Sequence, residues 1–395
     1  MGNIIYPQTL IPEIKLRINR ISEILRSQNT DAILLFDNAN LYYTSGRVFN
    51  GYTYITSNGD FLFFVKRPVG LEGSNVAYIR KPEQITEELA KLGYKMPESI
   101  ALEFDTASYS EIERIKNIFS SSDFINGSAV MRNARAVKTP YEIGQLKESG
   151  IRHCAAYKHI KSIYRDGMTD IELQIEIEKL LRLEGSLGIF RVSGQSMEIF
   201  MGSLICGGNA DNPTPYDFAM GGAGLNPSLP VGSNGTLIRR GMTIMVDMGG
   251  NFNGYMTDMT RVFYSGSLDE TARKAHNLSI SIHHELMSVA KPGTPASMLY
   301  EKAMEMVESA GMGTYFMGHH QKAGFIGHGV GIEINELPVL SQRSKDILKE
   351  GNVIAIEPKF VIPHVGAVGI ENTYIVTSQG LELITNYPED ITEIY

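Results

Sequence analysis

Five side chains that can bind metal ions stand at the ends of apolar runs or among glycines in the second half of this 395-residue chain. They are Asp247, Asp258, His328, Glu357 and Glu371. A carboxylate that ends an apolar strand must be exposed, paired or bound to a cation, because an unpaired buried charge is very costly. We therefore expect the fold to bring these side chains to a shared cation.

The two aspartates lie in consecutive strand-like segments, MTIMVDMGG and YMTDMTRVF, which are separated by an Asn253-Gly254 turn. Two strands joined by such a turn can place both carboxylates at one rim of a sheet. Each aspartate taken alone could merely cap a turn. The pair, at this spacing, favours a common site.

His328 lies in the segment GHGVG, whose glycines let the backbone approach its neighbours closely and leave the imidazole projecting. Glu357 follows the apolar run VIAI, and Glu371 follows AVGI. The two glutamates could instead form salt bridges with arginine or lysine. Four carboxylates and one imidazole suit Mn²⁺, Co²⁺, Fe²⁺ or Zn²⁺. Two such ions can generate hydroxide from water at neutral pH, which is chemistry that hydrolyses amides.

The composition is that of an ordinary globular protein, with 43% hydrophobic and 20% charged residues. A net charge of −8 argues against a general affinity for nucleic acid or for anionic membranes. Two cysteines suit a reducing compartment. The N-terminal segment does not resemble a signal peptide, and no apolar stretch approaches the roughly 20 residues of a membrane span. We therefore expect a cytoplasmic protein.

The length predicts more than one packing unit, since single cores rarely grow beyond about 250–300 residues. Helical spacing of apolar residues predicts a helix within 11–29, and the Asn58-Gly59 turn predicts a hairpin over 52–67. Between these elements, NANLYYTSG is interpreted as a strand leading into a turn. The alternation of helices and strands predicts a small α/β domain over 1–132 and a second domain over 133–395.

In the second domain, a helix is predicted over 141–165, and a capping box formed by Thr169 and Glu172 predicts the start of another. The passage 185–241 is rich in Gly, Pro, Asn and Ser and is expected to be irregular and functional.

These segments resemble metallopeptidase family M24, the pita-bread group of Xaa-Pro aminopeptidases and Xaa-Pro dipeptidases (prolidases). RAVKTPYEIGQLKESG is similar to the entry of the family's catalytic domain, and DAILLFDNANLYYTSG to the start of its creatinase-type domain. The resemblance implies an α/β (α+β) fold, in which a creatinase-type N-terminal domain precedes a pita-bread domain with a curved antiparallel sheet. It also implies two divalent metal ions per chain, Mn²⁺ before Co²⁺, Zn²⁺ or Fe²⁺, and often a homodimer. The implied ligands, in the family's order, are Asp247, Asp258, His328, Glu357 and Glu371.

Four positions depart from the family's patterns, which often read GHGxGxxxHExP and RIED. Asn335 stands in place of the second histidine, and Pro230 in place of a histidine that precedes the first aspartate ligand. Gly369 and Asn372 replace the Arg and Asp of RIED. In the family the missing imidazoles bind substrate and stabilise the tetrahedral intermediate; Asn335 could still donate a hydrogen bond, and Pro230 could not. The candidates to restore a lost substrate contact are His319, His320 and His364, each with a plain surface position as the equal alternative. Groups in the passage PTPYDFAMGGAGLNPSLPVGSNG are further candidates.

The activity that the resemblance implies is hydrolysis of the amide bond before proline in a short peptide or dipeptide. Glu357 would accept the proton of the attacking water, and Asn335 would contribute a stabilising donor. Two alternatives stay open. One is a metal-dependent C–N hydrolase of the same fold that acts on a non-proline peptide or a small amide, and the other is a non-catalytic pita-bread binding protein.

Overall fold

The computed structural model describes residues 5–194 and 197–394. The chain forms two compact units, Met1–Arg135 and Ala136–Tyr395. The domain limits predicted from the sequence, 1–132 and 133–395, stay a prediction. Within the described ranges, no helix is both long and apolar enough to cross a bilayer.

The first unit is built on a six-stranded mixed sheet. Its strands are β1 (Ala32–Leu35), β2 (Asn50–Thr56), β3 (Phe61–Arg67), β4 (Val76–Tyr78), β5 (Ser99–Leu102) and β6 (Asp123–Asn126). Its helices are α1 (Ile11–Ser27), α2 (Asn38–Ser45), α3 (Ile85–Lys91), α4 (Tyr109–Ile118) and α5 (Ser128–Ala136). The spatial order is β4-β3-β2-β1-β5-β6, with antiparallel pairs at β1–β2 and β2–β3 and parallel pairs elsewhere. This confirms an α/β N-terminal unit.

Local signals in this unit predicted helix α1 and one hairpin correctly and one segment wrongly. The hairpin of β2 and β3 is confirmed, and Gly59 takes the positive φ of +95° that its turn requires. The interpretation of NANLYYTSG as a strand leading into a turn is wrong, because Asn38–Ser45 is helical. The Asp37 side chain accepts the N–H of Ala39 as an N-cap, and Gly46 ends the helix with φ +70°. These caps outweigh the β preference of the Tyr-Tyr-Thr run.

The described residues of the second unit form three antiparallel-rich sheets, four longer helices and one short helix. Its helices are α6 (Pro140–Tyr157), α7 (Ile160–Ile163), α8 (Asp170–Leu183), α9 (Glu270–Val289) and α10 (Ala296–Ser309). Its first strands are β7 (Gly202–Cys206), β8 (Thr243–Asn251), β9 (Met256–Tyr264), β10 (Phe325–Gly329), β11 (Glu336–Ser341) and β12 (Val353–Ile356). The remaining strands are β13 (Lys359–Ile362), β14 (Gly366–Gly369), β15 (Asn372–Thr377), β16 (Gly380–Leu383) and β17 (Thr392–Glu393).

The sheets of this unit have the orders β17-β9-β8-β7, β11-β10-β12-β15-β16 and β13-β14. Every pair is antiparallel except β9–β17. Helices α6 and α8 share a core with β7–β9, and α9 and α10 share another with β12 to β15. The two cores leave the strand ends that carry the five predicted ligands close together.

Of two helices predicted in this unit, one begins where the sequence predicted and the other ends earlier than predicted. The capping box at Thr169 and Glu172 is confirmed as the start of α8. The prediction of a single helix over 141–165 is wrong beyond Tyr157, where α6 ends and the short α7 follows separately. The described residues of the passage 185–241 are largely irregular, as predicted, apart from β7 and a 3₁₀ turn at Gly207–Asp211.

His153 of α6 is fully buried, and its Nδ1 lies 3.0 Å from Thr257 Oγ1 on β9. Burial, assisted by the charge of Arg261, lowers the pKa of this imidazole from 6.5 to about 3. The unfolded chain therefore binds a proton between these two values, whereas the native chain does not. This linkage stabilises the native state above about pH 6.5 and is lost progressively as the pH falls toward 3.

We expect acidification from about pH 7 to about pH 5 to cost roughly 2 kcal/mol of unfolding free energy through His153. Urea unfolding of the wild type and of His153→Leu at both pH values measures this contribution, since the drop should be smaller by that amount in the variant. His159→Gln changes an exposed histidine nearby and should show the wild-type drop. An equal drop in all three proteins would contradict the prediction.

Candidate metal centre

The β8–β9 hairpin places the two predicted aspartates on one face of their sheet. Asp247 pairs with Thr260, and Asp258 pairs with Gly249. Because side chains alternate between faces along a strand, both carboxylates project on the same side, as diagonal neighbours. Gly249 makes room for the Phe190 ring, which would lie 2.6 Å from a Cβ at this position.

The neighbouring sheet supplies the imidazole and the two glutamates. His328 on β10 pairs with Ala355 on β12, and Glu357 lies two residues farther along on the same face. The backbone N–H of Glu357 extends this ladder by donating to Ile326 O at 2.8 Å. Glu371 directly precedes β15, which pairs with β12. The register thus aligns all three side chains.

Threonine hydroxyls join the two sheets beside the carboxylates. Thr373 Oγ1 accepts the N–H of Asp258 at 2.8 Å and donates to Asp258 O at 2.8 Å. Thr260 Oγ1 donates to Glu371 Oε2 at 2.8 Å. These bonds hold Asp258 and Glu371 in place although they belong to different sheets.

The structure brings all five predicted ligands together. Ligand atoms of Asp258, His328 and Glu371 lie within 4.8 Å of one another. His328 Nε2 lies 3.4 Å from Glu357 Oε1 and 3.9 Å from Asp258 Oδ2. Glu371 Oε1 is buried and has no hydrogen-bond partner among the described residues. This donor set, with an unpartnered carboxylate oxygen, fits one divalent ion; the ligand roles themselves stay a prediction.

Lys359 is the important residue of this centre that sequence reasoning missed. Its side chain is 0% exposed, and its Nζ donates to Asp247 Oδ2 at 2.8 Å, Glu357 Oε2 at 2.8 Å and Glu371 Oε2 at 3.1 Å. The signal was present in EPKFVI, because a lysine inside an apolar run must find carboxylates. The alternative in which glutamates pair with lysine is therefore realised for Glu357 and Glu371.

Burial and crowding separate the pKa values of the carboxyl groups. Burial, and after it the negative charge of Glu357, raises the pKa of Glu371 to about 8. Burial and Glu371 likewise raise the pKa of Asp258 well above its usual range. Burial would also raise that of Glu357, but Lys359 and His328 more than offset it and bring the pKa to about 2. The raised pKa values of Asp258 and Glu371 mean that their negative charge is disfavoured beside the other carboxylates, and a further cation bound there would stabilise it.

Asn335 does not point a free amide at the centre. Its Oδ1 accepts the N–H of Ser193 at 2.7 Å, and its Nδ2 donates to Ser193 O at 2.7 Å. Ile334 N also donates to Arg191 O at 2.8 Å. Asn335 therefore fastens the loop around 190–193 over the site, and its role as a catalytic donor stays a prediction.

The three predicted substrate histidines lie outside the pocket that the described ligands line, whereas residues 217–220 of the passage PTPYDFAMGGAGLNPSLPVGSNG line it. His319 Nδ1 and His320 Nδ1 lie 3.0 Å and 2.8 Å from Asp211 Oδ2 and form a separate group with it. His364 occupies the turn between β13 and β14 with φ +66°. Pro230 is not a lining residue either, and its carbonyl accepts a hydrogen bond from Thr214 Oγ1.

The altered RIED positions have a structural explanation. Gly369 has φ +120°, and a Cβ there would lie 2.5 Å from Pro358 O, so an arginine does not fit this backbone. Asn372 Oδ1 accepts from Arg261 Nη2 at 2.8 Å, and Asn372 Nδ2 donates to Glu389 Oε1 at 2.7 Å. The Asn372 amide thus links the buried Arg261 guanidinium to the Glu389 carboxylate.

The centre forms one end of a pocket whose walls are mostly apolar. The ligands Asp247, Asp258, His328, Glu357 and Glu371 line it together with Asn335. The apolar lining residues are Phe190, Val192, Met197, Ile199, Phe218, Ala219, Met220, Phe325 and Ile334. The site can therefore hold an apolar group beside a cluster of carboxylates.

Two family models match parts of this chain. A family model described as "Metallopeptidase family M24" matches residues 144–378, and one described as "Creatinase/Prolidase N-terminal domain" matches residues 17–137. The chain is 28% identical over 386 residues to the Xaa-Pro dipeptidase of Pyrococcus furiosus, covering 96% of this chain and 100% of the relative.

Solved structures of similar fold include peptidases of the same description. The Xaa-Pro dipeptidase from Bacillus anthracis matches with a TM-score of 0.79 and 25% identity, covering 96% of this chain and 99% of that one. The X-Pro aminopeptidase from Thermotoga maritima matches with a TM-score of 0.77 at 23% identity, covering 95% and 99%. The second likeness shows the fold alone.

Proposed function

The chain belongs to metallopeptidase family M24, and from that membership we propose that it is a metal-dependent peptidase that cleaves the bond before proline in short peptides. The predicted fold, a creatinase-type unit followed by a pita-bread unit, is that of the family. The observation that carries the proposal is the pocket, in which a carboxylate and imidazole cluster adjoins an apolar wall. Relatives named Xaa-Pro dipeptidase that match nearly the whole chain support the choice of substrate.

The family implies divalent metal ions, and Asp258, His328 and Glu371 are the residues that would hold one. A divalent ion there would supply an activated water at neutral pH and an electrophile for the carbonyl oxygen. We propose Mn²⁺ first, because oxygen-rich donor sets suit such hard ions.

The protein's own residues would do the rest. Glu357 lines the pocket at 3% exposure and would accept the proton of the attacking water and pass it to the leaving nitrogen. The apolar wall, which includes Phe190 and Phe325, would hold the proline ring and exclude water. Asn335 would position this wall through its contacts with Ser193.

Two further proposals concern the setting of the protein. We propose that the protein forms a homodimer, because the family resemblance implies one. A cytoplasmic location is consistent with Cys154 and Cys206, which are both buried free thiols.

Hydrolysis of Ala-Pro, Ala-Pro-Ala and Ala-Ala-Ala by metal-stripped protein, with and without added Mn²⁺, tests the function. We expect cleavage only with metal and only of the proline peptides. The preferred length would distinguish a dipeptidase from an aminopeptidase. Cleavage of Ala-Ala-Ala at an equal rate would favour the non-proline alternative, and a metal-loaded protein inactive on all three would contradict the proposal.

A further inference from the structure

The ammonium of Lys359 occupies a place suited to a metal ion. It takes one oxygen from each of three carboxylates, those of Asp247, Glu357 and Glu371, at 2.8–3.1 Å. The lysine lies on β13, opposite Gly369 on β14, and is wholly buried, while the three carboxylates that it binds line the pocket. An ammonium in such a position is retained only when carboxylates offset its loss of hydration, and three of them do so here.

The space between the three oxygens that Lys359 binds cannot hold the ammonium and a metal ion at the same time. Carboxylate oxygens lie about 2.0–2.2 Å from a metal such as zinc, in the space that the ammonium fills. A divalent ion sharing these oxygens would also be repelled by a positive charge at close range in a buried site. Binding there would require the lysine side chain to leave.

The remaining donor atoms of the site are those that accept no hydrogen bond from Lys359. Glu357 Oε1 faces His328 Nε2 at 3.4 Å, while Glu357 Oε2 is bound to Lys359. Glu371 is divided in the same way, since Oε2 accepts from Lys359 and Oε1 is without a partner among the described residues. With Asp258, these atoms form one donor set.

We propose that the Lys359 ammonium replaces one of the two metal ions implied by the resemblance, so that each chain binds one divalent ion at Asp258, His328 and Glu371. The inference rests on the proposed function only in assuming a metal-binding site. Four carboxylates, one ammonium and one divalent ion leave the centre within one charge of neutrality. Lys359 is thus a resident cation that holds Asp247, Glu357 and Glu371 in position.

Metal content tests the proposal without reference to activity. The full-length protein is equilibrated with excess Mn²⁺, desalted, and analysed for metal per chain by elemental mass spectrometry. We expect one ion per chain in the wild type and two in Lys359→Gly, which frees the three oxygens. Lys345→Gly changes an exposed lysine and should retain one ion.

Electron paramagnetic resonance gives a second measurement that needs no variant. A single Mn²⁺ gives the spectrum of an isolated ion, whereas two ions about 3.5–4 Å apart show magnetic coupling. A coupled spectrum or two ions in the wild type would overturn the proposal, as would one ion in a folded Lys359→Gly or none in the wild type. The peptide panel decides the function separately, because two ions with proline-specific cleavage would contradict only the role of Lys359.

Discussion

Glu357→Gln is expected to lower kcat by about a thousandfold, the middle of the range for losing a positioned general base. Glutamine keeps the shape of the side chain but cannot take up a proton from water. Glu357 is 3% exposed and lies between Lys359 and His328, so solvent cannot readily replace it. Single-turnover and steady-state hydrolysis of Ala-Pro by the Mn²⁺-loaded variant measures the effect.

Two controls separate proton transfer from other losses in Glu357→Gln. Metal content, measured in parallel, shows whether the variant still binds its ion. Asn335→Ala should keep kcat within about tenfold and mainly raise KM, because its amide is engaged with Ser193 and its loss removes about two hydrogen bonds. Full turnover in Glu357→Gln would show that its assigned proton-transfer role is wrong.

Arg261→Met is expected to lower the free energy of unfolding by about 3–5 kcal/mol. Arg261 is 2% exposed, and its guanidinium donates to the carbonyls of Thr260, Glu371, Tyr387 and Pro388 and to Asn372 Oδ1. Methionine fills part of the volume but leaves these acceptors unsatisfied in a buried place. Because one of them is the backbone of Glu371, metal affinity should fall as well.

Urea unfolding of Arg261→Met, with and without Mn²⁺, measures both effects. Arg273→Met removes an exposed arginine from α9 and should change stability by less than about 0.5 kcal/mol. A metal-free Arg261→Met as stable as the wild type would mean that water replaces the guanidinium at these carbonyls.

Local patterns in the sequence predicted those parts of the fold that depend on neighbouring residues. The capping box at Thr169 and the turn at Gly59 act within a few residues, and both are confirmed. The error over Asn38–Ser45 has the same origin, because the cap of Asp37 was given less weight than the β-forming side chains after it. The break after Tyr157 had no comparable local signal.

The partners of polar groups were harder to predict, because they are far apart along the chain. Asp247 and Lys359 are 112 residues apart, and Ser193 and Asn335 are 142 residues apart. Sequence reasoning could identify a buried charge but not the group that balances it. It therefore did not anticipate that the Asn335 amide pairs with Ser193, and it did not consider Lys359.

The sequence by itself determined which side chains end the apolar strands. It therefore determined that the four carboxylates, together with one imidazole, needed a common source of positive charge. Only the tertiary structure decided where that charge comes from, by bringing the Lys359 ammonium within 3.1 Å of three of the carboxylates. The reason is physical: the interaction of two charges depends on their separation and on their burial. Both are set by how β8, β12, β13 and β15 pack, not by their spacing along the chain.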